Sequence, residues 1–216
     1  MVSETTQRIP ASERRRAKAV VADMTALGRQ SEFDLVVCPR EAFQLLSPPD
    51  AGRALESLGA SLVGNGVLVV DLFDFGDGPV SPADAPPDYF SPQDHGWVED
   101  WTRADPARKL TVTRRRRQTR THGGIHFEMR YTVIRGTSAA RIVDLGFDMT
   151  SYTDDELRAL ARRSGLDVLA ALAGYGPAAT RRTVYLLGRG RSQQGRDRVE
   201  RICREVTADR PAPDGD

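Results

Sequence analysis

The chain is poor in cysteine, lysine and long apolar runs, and its cysteine count, charge balance and apolar runs each bound what it can do. Cys38 and Cys203 are its two cysteines. Two thiols cannot build a disulfide framework, and they match no zinc-ligand spacing, so no metal site is expected. Cys38 closes an apolar run, which marks it as an inert core thiol. Lys18 and Lys109 are the only lysines, and arginine supplies the rest of the positive charge. The formal net charge is +1, which gives no pull towards nucleic acid or an anionic membrane. No run approaches the roughly 18 apolar residues of a membrane span, and the N-terminal residues lack the apolar stretch of a signal peptide. A soluble, cytoplasmic protein is expected. With 39% hydrophobic residues among 216, the chain has material for one cored domain, or one domain with an insertion.

Residues 33–75 organise what is there. Phe33, Leu35, Val36 and Val37 form an apolar run of strand length. Ser47, Pro48 and Pro49 supply a capping residue followed by prolines, which suits a helix start. Ala51, Leu55, Leu58 and Leu62 follow at helical spacing and give that helix one apolar face. Gly64-Asn65-Gly66 is expected to end it in a tight turn, and Val67 to Val70 form a second buried strand closing on Asp71. Strand, helix and strand in this length predict a βαβ unit with two adjacent, parallel, central strands.

The flanks read as follows. Ala17 to Ala22 is a strand candidate closing on Asp23. Gly76 to Asp94 is a long Gly-, Pro- and Asp-rich loop leading to His95, Trp97 and Trp101. Ile125, Phe127, Met129 and Tyr131 alternate with polar residues, and Val143, Leu145, Phe147 and Met149 repeat the pattern. With Leu110 to Gln118 and a turn at Gly123-Gly124, they predict a three-stranded antiparallel meander with one apolar face. The run Arg114 to Arg117 is read as a solvated face partnered by Asp94, Glu99, Asp100 and Asp105, or as a contact for an anionic ligand. Near-zero net charge and the lack of interleaved aromatics argue against nucleic acid. Thr153 to Glu156 is a capping box opening a helix that Gly165 ends. Strands at Leu166 to Leu172 and Thr183 to Leu187 flank a loop at Gly174 to Ala179. Residues 196–206 suit a short amphipathic helix, and 1–8 and 208–216 are expected to be disordered.

FDLVVC, a helix ending LVGNG, and VLVVDLF resemble the fourth strand, following helix and fifth strand of class I S-adenosylmethionine-dependent methyltransferases, in particular small-molecule enzymes. The resemblance covers roughly residues 17–75 and 150–188. It implies an α/β, Rossmann-like methyltransferase sheet of order 3-2-1-4-5-7-6, here incomplete because strands 1 and 2 are missing, with the antiparallel meander as an insertion at about 76–149. The domain is then 1–188, truncated at its N-terminal side, followed by a C-terminal helix and tail over 189–216. Ala22-Asp23-Met24 matches a family pattern that sets Asp23 and Met24 beside the adenine of the cofactor; the alternative is that Asp23 caps the turn at Thr25 to Leu27. Cys38 and Pro39, after the Phe33 strand, would line another wall of the cofactor site.

The family holds the cofactor's methionine and ribose with a first strand, a Gly-rich turn and an acidic residue ending a second strand. No Gly-x-Gly lies in the first 27 residues. The resemblance therefore implies methyl transfer to an oxygen or nitrogen of a small molecule by a truncated or partner-completed enzyme. The alternative is a non-catalytic methyltransferase-like subunit that supports a partner protein. His95 is the candidate general base because its loop should face the ligand. Trp97, Trp101, Tyr152 and Tyr175 line an acceptor pocket or belong to the core. A homodimer or a completing partner chain would cover the open sheet edge.

Overall fold

The computed structural model describes residues 9, 10, 12, 13, 16–75, 95–173, 181–189, 197 and 199–201. The loop at 76–94, Tyr175 with the loop at 174–179, both termini expected to be disordered, and most of the helix expected at 196–206 lie outside them. Strand β1 (Phe33–Cys38) leads through a 3-10 turn (Ala42–Leu45) to helix α1 (Pro48–Ser61) and strand β2 (Leu62–Phe73). Ser47 caps α1 by accepting a hydrogen bond from the Asp50 amide, with proline in the first turn. Ala51, Ala54, Leu55 and Leu58 of α1 are buried, each large side chain contributing about 1.5–3 kcal/mol on leaving water.

Four further strands, β3 (His95–Asp105), β4 (Leu110–Thr121), β5 (Gly124–Arg135) and β6 (Arg141–Thr150), precede helix α2 (Asp154–Arg163). Strands β7 (Asp167–Ala173) and β8 (Arg182–Gly188) end the fold. The strands form two four-stranded sheets, ordered β1-β2-β8-β7 and β3-β4-β5-β6. In the first sheet β1 is parallel to β2, and β8 is antiparallel to both β2 and β7. One face, including Cys38, Leu68, Val70, Tyr185 and Leu187, packs on α1 and α2. On the other face Val67, Val184 and Leu186 cluster with Val199.

Several expectations are corrected. Residues 17–22 form no strand, and Val20 and Val21 are exposed; an isolated extended segment has no ladder to join. β1 and β2 are adjacent and parallel, but β1 is an edge strand rather than central, with Leu35 at 49% and Val37 at 51% exposure. Gly64-Asn65-Gly66 does not close the helix, which ends at Ser61. It lies in an irregular stretch of β2, where the register jumps from Phe33↔Leu62 to Leu35↔Val67. The meander has four strands, because the segment carrying His95, Trp97 and Trp101 pairs with β4 instead of continuing the loop.

The period-two reading of β5 and β6 holds. Ile125, Phe127, Met129 and Tyr131 lie opposite Met149, Phe147, Leu145 and Val143. Ile125, Phe127 and Met149 cluster with Phe75, at the end of β2, so the second sheet packs its apolar face against the first sheet's carboxyl end. Leu145 and Ile142, further along β6, are exposed. The arginine run is not a solvated face throughout. Arg116 is wholly buried and donates from Nε to Asp100 Oδ1 at 2.6 Å. Arg114 Nε lies 2.9 Å from the other oxygen of Asp100. Strand alternation turns Arg117 to the opposite face, where it pairs with Glu128.

Candidate functional site

The carboxyl ends of parallel strands are where open α/β sheets bind ligands, and the chain has a cleft of about 1380 Å³ at that end of β1 and β2. Its floor is the turn after β1 and the head of α1, from Arg40 to Asp50; its far wall is Phe147 to Thr150 of β6, with Arg114 and Arg182 entering from β4 and β8. Apolar surface from Leu45, Leu46, Pro48, Phe147 and Met149 therefore alternates with charged groups, a composition suited to a small polar ligand with an apolar face.

The turn is held open by backbone geometry that side chains rarely adopt. Arg40 and Glu41 have φ of 59° and 57°, each costing roughly 1–3 kcal/mol for a residue other than glycine. What offsets this is a buried cluster of charges. The Glu41 amide donates to Asp71 Oδ1 at 2.9 Å, Arg182 Nη1 donates to Asp71 Oδ2 at 2.8 Å, and Arg182 Nη2 meets Glu41 Oε1. Asp71 ends the apolar part of β2 and Arg182 starts β8, so the sheet itself aligns them. Burial pushes the Glu41 carboxyl up; Arg182 opposes that shift and Asp71 adds to it.

The roof is tied to the floor through Gln44, which is wholly buried. Its Nε2 donates to Phe73 O at 2.9 Å and to Thr150 O at 3.0 Å, and its Oε1 accepts from Phe73 N at 2.7 Å. Leu46 O accepts from Thr150 Oγ1 at 2.9 Å and from Tyr152 Oη at 3.1 Å.

The residues singled out from sequence fall in different places. Asp23 caps its turn: Oδ1 accepts from the Thr25 amide and hydroxyl, both at 2.8 Å, and those bonds hold its carboxyl below the usual range. Met24 packs against the main core. The Cys38 thiol lies in that core, its pKa pushed up by burial to about 11, which leaves only its backbone and Pro39 at the strand end. The His95 backbone pairs with Gln118. Trp97 sits between Arg117 and Arg130, 5.0 and 4.9 Å from their guanidinium carbons, on the sheet face turned away from the main core. Trp101 packs edge-on to Tyr131 and lies under Arg114, one residue removed from the cleft. The Tyr152 ring packs on Phe43 behind Leu46. The cleft thus gathers Glu41, Arg182, Arg114 and Asp148; of these the sequence pointed only to Arg114, as the first residue of the arginine run. Asp71 ending β2 and arginine at the start of the last strand were the signals available for part of this cluster.

Among the described residues no group of three or more His, Cys, Asp or Glu is close enough to hold a metal ion, and no helix is long and apolar enough to cross a membrane. No family model and no curated protein matches the chain. Solved structures do. An S-adenosylmethionine-dependent methyltransferase from Clostridium acetobutylicum ATCC 824 superposes with a TM-score of 0.61 at 15% identity, over 87% of this chain and 72% of that one. CalS10 from Micromonospora echinaspora, an amino pentose methyltransferase of calicheamicin biosynthesis solved with S-adenosylmethionine bound, gives 0.60 at 21% identity, over 87% and 69%. The sugar N-methyltransferase KedS8 from Streptoalloteichus sp ATCC 53650 gives 0.59 at 22% identity, over 83% and 67%. Two packed sheets, a parallel β1-β2 pair and an antiparallel closing strand are thus a fold that the chain shares with these methyltransferase structures.

Proposed function

We propose that the chain is the acceptor-binding part of an S-adenosylmethionine-dependent methyltransferase acting on an oxygen or nitrogen of a small molecule, completed by a segment or partner chain that supplies a strand, a Gly-rich turn and a helix. One observation carries the reading. The order β1-β2-β8-β7, with β8 antiparallel, corresponds to strands 4-5-7-6 of the family order. β1 presents an apolar open edge, Phe33, Leu35 and Val37, at the place where strand 1 would pair. The domain reading follows: 1–188 with the second sheet as its insertion. The exposed Leu145 and Ile142 support a homodimer or partner contact at the far end of that sheet. The small number of cysteines supports a soluble, cytoplasmic setting.

The residues suit one end of the cofactor better than the other. The exposed carboxylate of Asp23 with Met24, and the strand end at Cys38 and Pro39, would flank the adenine. The described residues hold no Gly-rich turn between a strand and a helix for the methionine and ribose. When bound, the cofactor supplies the electrophilic methyl group. The chain's own part is to hold and orient the acceptor. His95 is the proposed base, and Trp97, Trp101, Tyr152 and Tyr175 the proposed acceptor surface; among these, Trp101 and Tyr152 are supported by packing against Arg114 and Leu46, which line the cleft.

Isothermal titration tests this. Two lost charge-assisted hydrogen bonds at about 1.5–3 kcal/mol each weaken a micromolar site to roughly millimolar or worse, at about 1.4 kcal/mol per tenfold. The chain alone should bind S-adenosylmethionine at that level, and addition of a completing strand-turn-helix segment should restore micromolar binding. Micromolar binding by the chain alone, abolished by Asp23→Ala, would overturn the partner-completed reading. A second reading, a non-catalytic subunit, is favoured by the same open edge. It predicts that a partner enzyme binds across β1 and keeps full turnover when Glu41 is replaced.

A further inference from the structure

Three carboxylates line the cleft, and they are not equivalent. Asp50 accepts from Ser47 and pairs with Arg53 at the head of α1. Asp148 is exposed and meets His126 Nδ1 at 2.7 Å. Glu41 alone is enclosed: its side chain is 10% exposed. Arg182 faces its buried oxygen, Oε1, and among the described residues no hydrogen bond is made to Oε2. Three charged groups face it: Arg182 and Asp71 from the ends of β8 and β2, and Arg40 from its own turn. Because Asp71 holds Arg182 through a separate nitrogen, a cation approaching Oε2 need not displace the guanidinium. Leu45, Phe147 and Met149 line the same cleft and offer apolar cover for the body that carries such a cation.

We propose that Glu41 is the docking carboxylate for an ammonium group of the acceptor, so that this cleft takes a small amine with an apolar face in preference to the corresponding alcohol. The inference rests on reading the cleft as the acceptor site. A left-handed turn fixed by Asp71 holds the carboxylate at a set position beside Arg182, and in these low-dielectric surroundings an ammonium at Oε2 adds a second ion pair where a neutral hydroxyl adds only a hydrogen bond. The carboxyl is raised above its ordinary range by burial. Acidification through that raised range removes the charge while an alkyl ammonium stays protonated, so binding weakens as pH falls.

The test uses the full chain, labelled with nitrogen-15, and titrates phenethylamine against 2-phenylethanol without cofactor. Phenethylamine should give saturable shifts at the Glu41, Asp71 and Arg182 amides, with the alcohol at least about tenfold weaker. Glu41→Gln should weaken the amine by a similar factor, and the wild-type chain should lose the preference on acidification. Equal affinity for amine and alcohol, or unchanged amine binding in E41Q, overturns the assignment, as does the absence of shifts at those three amides. Because no S-adenosylmethionine is present, the two readings fail separately. Amine binding without restored cofactor binding keeps Glu41 and removes the methyltransferase; the reverse leaves a methyltransferase whose acceptor is held elsewhere.

Discussion

At the scale of single residues the site depends on a carboxylate that the sequence does not mark. Glu41 lies in the stretch between a strand and a helix, and nothing in its neighbours signals two consecutive left-handed residues or a partner at Arg182. Asp71 was legible as the end of an apolar strand, but its bond to Arg182 spans 111 positions, and no local pattern reports such a pairing. The direction of the Glu41 shift makes a prediction about stability. Its folded carboxyl is raised, chiefly by burial and despite Arg182, so between the unfolded and folded pKa the native state binds the extra proton. Its contribution is fully present below the ordinary carboxylate range, near 4.3, and is lost as pH rises through the raised value. Urea unfolding from pH 4 to 7 should therefore show the wild-type chain losing stability relative to Glu41→Gln. A wild type that gains on the variant over that range would mean that the ion pair outweighs desolvation. A group that is better for binding than for stability is common at ligand sites.

At the scale of elements, periodicity fixes which face of a strand is buried, whereas the existence of the strand depends on its neighbours. The alternation of β5 and β6 gave the faces, because one apolar side must be buried and a shift of one residue would invert it. The capping box of α2 is present with both reciprocal bonds. Two elements were misread for the same physical reason: a strand exists only where another backbone pairs with it. Residues 17–22 have strand composition and no neighbour, whereas 95–105 look loop-like in sequence and are strand because β4 offers a partner with two irregularities in register. The burial of Arg116 was hidden likewise, since its acceptor, Asp100, comes from that unread strand. The glycines after α1 show the same dependence on neighbours and give a paired test. A Cβ at Gly66 would sit 2.9 Å from Phe33 O and 3.1 Å from Leu62 Cβ, whereas one at Gly64 meets nothing within 4 Å. Gly66→Ala should cost about 1–3 kcal/mol by forcing β1 and β2 apart. Gly64→Ala, two residues away in the same strand, should be neutral or stabilise by up to about 1 kcal/mol. Chemical denaturation of both variants decides it, and equal effects would mean that the contact at Phe33 is relieved without cost.

At the scale of the whole molecule, two sheets with separate cores must be held at a fixed distance for a cleft to exist between them. The apolar contact of Phe75 with Ile125, Phe127 and Met149 supplies attraction but little direction. Direction comes from Gln44, whose single amide reaches the main sheet at Phe73 and the second sheet at Thr150, while Thr150 and Tyr152 return hydrogen bonds to Leu46 on the same turn. A buried amide satisfied on both sides specifies one arrangement where apolar packing would tolerate several. Gln44→Ala removes three hydrogen bonds at about 1 kcal/mol each, net, and leaves a cavity in place of a buried side chain, so a loss of about 2–4 kcal/mol is expected in urea unfolding. The loss should also be uneven. Because β4, β5 and β6 keep their own ladders, hydrogen exchange should quicken at Phe73 and in the 42–46 turn before it quickens in the middle of β5. Uniform acceleration across both sheets would show instead that they unfold as one cooperative unit and that Gln44 contributes stability without setting the width of the cleft.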